Sequence, residues 1–126
     1  MSLRNPLARV RGLGSAKEGV QHWWLQRVTA MAMVPLTLWF VISVIAHLGA
    51  GRLEMVDWMS SPVSAALMIA FLVSLFWHAK LGLQVVIEDY VHNEACKIAS
   101  LTAMTFAVVI VGIACVVSVL KLAFGG

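Results

Sequence analysis

Between Asp57 and Lys80 lies WMSSPVSAALMIAFLVSLFWHA (Trp58–Ala79), 22 residues without a Lys, Arg, Asp or Glu. As helix, roughly 20 such residues cross the hydrocarbon core of a bilayer. Two further stretches meet the same requirement: Val28–Gly51, with 24 uncharged residues, and Ile98–Leu120, with 23. Of the 126 residues, 61% are hydrophobic and 12% charged, more apolar sequence than so small a water-soluble domain can bury. The expected fold is therefore an all-α membrane protein with three transmembrane helices. A single domain fills residues 1–126, with a tail over 1–21 and helices over about 22–50, 61–92 and 97–121.

Local signals set those boundaries. Trp23-Trp24 suits the interfacial aromatic belt, and Gly49-Ala-Gly51 is a helix-stop signal. Pro35 removes the hydrogen bond to the Met31 carbonyl and should bend the first helix. Arg52–Ser60 reads as a short loop, with Ser61 as N-cap and Pro62 at the first helical position of the second helix. Ala99, Ala103 and Ala107 form a small-residue stripe on the third helix, which lets another helix approach closely.

Lys and Arg counts give an orientation. The tail with Arg27 carries five and the second connection carries Lys80 and Lys97; the first loop has only Arg52 and the end only Lys121. Seven against two puts the N-terminus in the cytoplasm and the C-terminus in the periplasm. The first apolar run begins too late and is too long for a signal peptide. The basic head is also too short for a convincing mitochondrial presequence, which favours a bacterial inner membrane over the mitochondrial one. The net charge of +3 calls for no nucleic acid. Gly12-Leu-Gly14 lacks the third glycine and the preceding strand of a dinucleotide fingerprint. Paired interior charges and broken-helix repeats, the marks of a transporter, are missing. Cys96 and Cys115, about 27 Å apart on one helix, cannot pair with each other, and both read as packing residues.

The residue most suggestive of chemistry is His78, at the end of the second apolar run. An ionisable side chain within a membrane span is a candidate functional group by default, and neutral imidazole is a common metal and haem ligand. Gly82 lies about 40° round the helix from it and Asp89 about 20°. The glycine thus clears side-chain bulk one turn from the imidazole. Composition alone leaves a ligand and a hydrogen-bonded structural histidine both open. Any partner ligand has to come from a facing helix. His47 stands at the wrong depth for that part and reads as structural, while His22 and His92 read as solvated rim residues. The missing second ligand points to another polypeptide.

Three further residues carry two readings each. Arg27 is either a snorkelling anchor or a clamp on an acidic group such as a haem propionate, which its planar fork suits. Tyr90 is either belt decoration or a donor to a quinone carbonyl, on which reduction builds negative charge. Asp89 beside it would position that donor or relay protons. Lys80 lies on the opposite side of the helix from Asp89, so the two form no ion pair.

The run His78-x-x-x-Gly82-x-x-x-x-x-x-Asp89-Tyr90-Val91 resembles the second-helix signature of the smaller membrane-anchor subunit of succinate dehydrogenase, respiratory complex II. Gly19-Val20 followed by Arg27-Val28-Thr29-Ala30 is similar to that subunit's approach to its first helix. The resemblance implies that His78 is an axial ligand of a haem b whose other ligand comes from a second anchor (cytochrome b) subunit. It implies that Arg27 contacts a haem propionate, that Tyr90 hydrogen-bonds ubiquinone and that Asp89 stands beside it. Family variants carry a histidine where this chain has Gln21, with His22 next to it. Lys80 occupies a position where an aromatic or apolar residue is commoner.

By the same resemblance, the chain has no catalytic residue for succinate and is not an enzyme on its own. It would join a flavoprotein subunit and an iron–sulfur subunit, and pass electrons to ubiquinone as substrate. The competing readings are a cofactor-free structural anchor and the anchor of a fumarate reductase.

Overall fold

A computed structural model describes residues 15–125, with side-chain surroundings from Val20 onward. Arg4, Arg9 and Arg11, on which much of the orientation count rests, lie outside the described residues, as does Gly12-Leu-Gly14. The described residues form four helices and no strand: α1 Ser15–Ala46, α2 Arg52–Ser60, α3 Pro62–Tyr90 and α4 Glu94–Ala123. Three segments are long and apolar enough to cross a membrane: Val20–Ala46, Pro62–Tyr90 and Glu94–Ala123.

The helix ends follow local chemistry. The α1 helix runs through Pro35 to Ala46, and the chain turns at Gly49, whose φ of +81° favours glycine. Pro62 opens α3 as expected, but the Ser61 side chain at the cap makes no hydrogen bond. Asn93 does cap its helix: its side-chain oxygen accepts from the Cys96 amide at 3.1 Å, so α4 begins three residues earlier than the charge pattern suggests. The α1 helix also begins earlier than expected, at Ser15, which leaves Arg27 a dozen residues inside it.

Arg52–Ser60, expected as a loop, is a helix of nine residues. Its charged residues Arg52, Glu54 and Asp57 hid it from a reading based on apolar runs. What holds it is tertiary packing. Met59, 2% exposed, is the most deeply buried side chain described, and it joins Met68, Phe71 and Val119 in the core at this end of the bundle. Trp58 packs between Trp39 and His47, with ring centroids 6.0 and 4.4 Å away.

The central helix is α3. It packs against α1 on one side and α4 on the other, and α2 leans on the α3–α4 pair. The Phe40 and Phe71 rings stack at 4.8 Å, and Thr29 meets His78 further along. Those two contacts make α1 and α3 antiparallel and bring Ala46 level with the start of α3. Most other apolar side chains face outward, among them Val34, Ile42, Phe106 and Ile110. A water-soluble protein does not display such a surface, whereas lipid solvates it, and helices satisfy their own backbone groups there.

Truncating Met59 tests whether α2 is a docked element. Met59→Ala should cost about 2–5 kcal/mol and lower the thermal midpoint of the detergent-solubilised protein, with Met59→Leu close to the native chain. Equal midpoints for all three would mean that α2 contributes no packing.

A cleft between the first and third helices

Between α1 and α3, at the end away from α2, lies an open cleft of about 600 Å³. His22, Trp23, Gln26, Arg27 and Ala30 line it from α1, and His78, Gly82 and Val85 from α3. Their helical spacing explains the grouping. Positions 22, 26 and 30 recur every four residues, as do 78 and 82, so each set forms a stripe on one face. The described site thus contains His78 and Arg27, two of the expected residues, on facing walls.

His78 is half-buried, and its Nδ1 stands 3.0 Å from Thr29 Oγ1. A Cβ added at Gly82 would meet nothing within 4 Å, so the glycine opens the cleft rather than making room for a neighbour within this chain. The Arg27 guanidinium carbon lies 4.5 Å from the centroid of the Trp23 ring. Stacking on the indole lowers the freedom of the long side chain and leaves its donors at the rim. Beside it, Gln26 Oε1 is buried and accepts no hydrogen bond. An orphaned polar atom costs free energy unless something outside this chain supplies its partner.

Two residues of the cleft, His22 and Gln26, and Thr29 beside it were not legible as such in the sequence. His22, taken there as a solvated rim residue, lines the cleft, while Gln21 is exposed. Gln26 and Thr29 were passed over because neither ligates metal or titrates. The facing pattern of 22, 26 and 30 was the available signal.

Tyr90 and Asp89 are not part of the cleft. Tyr90 is 77% exposed at the last position of α3, and Asp89 is exposed next to it. Arg27 and Tyr90 stand at different depths. Thr29 is level with His78, so Arg27 lies near the level of Lys80 and Tyr90 extends about 15 Å beyond it. From Pro62 to Lys80 is about 27 Å, close to the hydrocarbon thickness. The last ten residues of α3, with Gln84, Glu88, Asp89 and Tyr90, then project from the apolar core.

The remaining candidates take structural places. The His47 imidazole donates to the Ser43 carbonyl at 2.7 Å and stacks on Trp58, some 25 Å along the bundle from His78. The Lys80 ammonium lies 5.9 Å from the Trp77 ring centroid, at one end of an apolar groove of about 470 Å³ between α3 and α4. Cys115 is half-buried, whereas Cys96, expected to pack, is exposed. Ala99, Ala103 and Ala107 are exposed among the described residues.

Residues 1–117 match the model of a family described as the succinate dehydrogenase/fumarate reductase transmembrane subunit. The chain belongs to that family. Among similar proteins, the succinate dehydrogenase hydrophobic membrane anchor subunit of Rickettsia bellii is 29% identical over 92% of this chain and 93% of its own length. The subunit of the same name from Paracoccus denitrificans is 31% identical over 80% of this chain and 78% of its own. The succinate dehydrogenase membrane anchor subunit of Reclinomonas americana is 33% identical over 68% and 73%. All three names describe membrane-anchor rather than catalytic subunits. No solved structure matches the chain.

His47 and His78 should separate experimentally. His47→Leu removes the polar contact and the ring stack and should cost about 1–2 kcal/mol of stability, read as a lower thermal midpoint, leaving the cleft unaltered. A loss of cleft ligand in that variant would show that His47 does more than pack.

Proposed function

We propose that this chain is a membrane-anchor subunit of succinate:ubiquinone oxidoreductase, sharing a haem b and a ubiquinone site with a second anchor subunit. The observation that carries the reading is the wall-to-wall placement of His78 and Arg27 across a cleft that Gly82 keeps open. Family membership over nearly the whole chain supports the anchor role. The relatives' names favour succinate dehydrogenase within a family whose description also covers fumarate reductase.

The residues present fit a haem. His78 would supply one axial nitrogen, and the side chains at the rim suit the acidic edge of the macrocycle: Arg27 as a fork of donors, with His22 beside it. Gln26, whose Oε1 is buried and accepts no hydrogen bond, can turn its amide to offer a donor or an acceptor, whichever the occupant requires. The cleft is open on one side, where the second anchor subunit would close it and bring the other axial ligand. When bound, the haem supplies a one-electron acceptor within the membrane. The orientation that fits has the Arg27 end in the cytoplasm of a bacterial inner membrane, where flavoprotein and iron–sulfur subunits dock.

Tyr90 and Asp89 would serve the quinone. Both are exposed at the end of α3 among the described residues, where partner chains would enclose them and form the quinone site on assembly. There the Tyr90 hydroxyl donates to a quinone carbonyl oxygen, stabilising the charge that builds on it during reduction. Asp89 holds the phenol or passes on protons from the water side. Two electrons from the partners and two protons from water convert quinone to quinol.

Two substitutions test the two halves. Tyr90→Phe should lower quinone reductase activity about tenfold or more and leave succinate oxidation by an artificial dye largely intact; parallel loss of both would overturn the quinone assignment. Gly82→Leu projects a side chain into the cleft and should yield an assembled complex depleted of haem. Full haem content in that variant would contradict the cleft as its site.

A further inference from the structure

We infer that Thr29 is a positioning residue for His78, holding its imidazole as the Nδ1–H tautomer so that Nε2 is the nitrogen free to bind a metal. The inference rests on the haem reading above and adds to it a residue with no direct contact to the iron. Thr29 Oγ1 lies 2.7 Å from the Leu25 carbonyl oxygen, 3.0 Å from that of Gln26 and 3.0 Å from His78 Nδ1.

A hydroxyl has one proton for these three contacts. Carbonyl oxygens can only accept. At 2.7 Å, Oγ1 and the Leu25 oxygen would repel each other unless the proton lay between them. The hydroxyl proton therefore goes back to the α1 backbone, a habitual place for threonine in a helix. Oγ1 then has only lone pairs to offer His78, so Nδ1 must carry the hydrogen and donate it. A neutral imidazole has one N–H, which leaves the Nε2 lone pair available.

This is the arrangement metal-binding histidines use, with the non-ligating nitrogen donating to a fixed acceptor. Here the acceptor is itself polarised, because Thr29 donates onward to a carbonyl. The fit between the helices makes it specific. Thr29 is half-buried in the α1–α3 contact, a turn beyond the cleft-lining Gln26. Its hydroxyl thereby ties the ring orientation of His78 to the backbone of the facing helix. A stronger donor nitrogen favours ferric over ferrous iron, so losing the bond should raise the haem midpoint potential.

The test compares Thr29→Val, close in shape but without the hydroxyl, with Thr29→Ser, which keeps the hydroxyl and loses a methyl. The whole complex is purified for each, and three properties are read: haem midpoint potential, the low-spin ferric signal in electron paramagnetic resonance, and the rate of haem loss in detergent. The Val variant should show a raised potential, a shifted signal and haem loss about tenfold faster, and the Ser variant should match the native complex. Native values in both variants would overturn the inference, and so would equal changes in both, which would reduce Thr29 to packing. If Thr29→Val does not assemble, Thr29→Ala carries the same expectation against Thr29→Ser. Native complex without haem would sink the haem reading and this inference together. Native haem that His78→Ala disturbs, with Thr29→Val unchanged, would sink this inference alone.

Discussion

Two contacts, about 16 Å apart along α1 and about 10 Å apart along α3, the Phe40–Phe71 stack and the Thr29–His78 hydrogen bond, set the register of α1 on α3, and the cleft depends on that register. A slip of one residue on α1 turns its facing stripe by about 100° and would carry Gln26 and Arg27 away from His78. The aromatic stack supplies packing at the end near α2, where Met59 and Trp58 close the bundle. The polar contact stands at the other end, beside the cleft. Aromatic packing and the cleft thus occupy opposite ends of one helix pair.

The bilayer explains why so little else is needed. In lipid the backbone must satisfy itself, which helices do, and apolar side chains need no burial against protein. Among the described residues five hydrophobic side chains are buried, four of them clustered, a small core that suffices only because lipid covers the rest. The same setting leaves exposed the surfaces that a complex would use. Tyr90 at the projecting end of α3 and the open side of the cleft both require material from outside this chain to become sites.

Much of this was legible in the sequence, because spans and periodicity depend on residue type alone. Three charge-free runs give three spans, and His78 with Gly82 share a face by spacing. Charge gaps were poor guides to helix ends: Asn93 starts α4 ahead of Lys97, and α1 begins well before the Trp23-Trp24 belt. The α2 helix was illegible because a charged nine-residue segment held by tertiary packing has no periodic signal of its own. Thr29 was quoted as part of a motif, yet its role arises from a contact across 49 positions of sequence, which no local pattern encodes. His22 was misread for a related reason, since its exposure is decided by the facing helix.

The most direct test of the cleft as a ligand site is the dithionite-reduced minus oxidised absorption spectrum of the purified complex, recorded for the native chain and for His78→Ala. A b-type haem signal in the native complex that is lost or altered in the assembled variant is the predicted result. A native complex without that signal, or a variant whose spectrum is indistinguishable from native, would contradict the assignment of His78 to the iron.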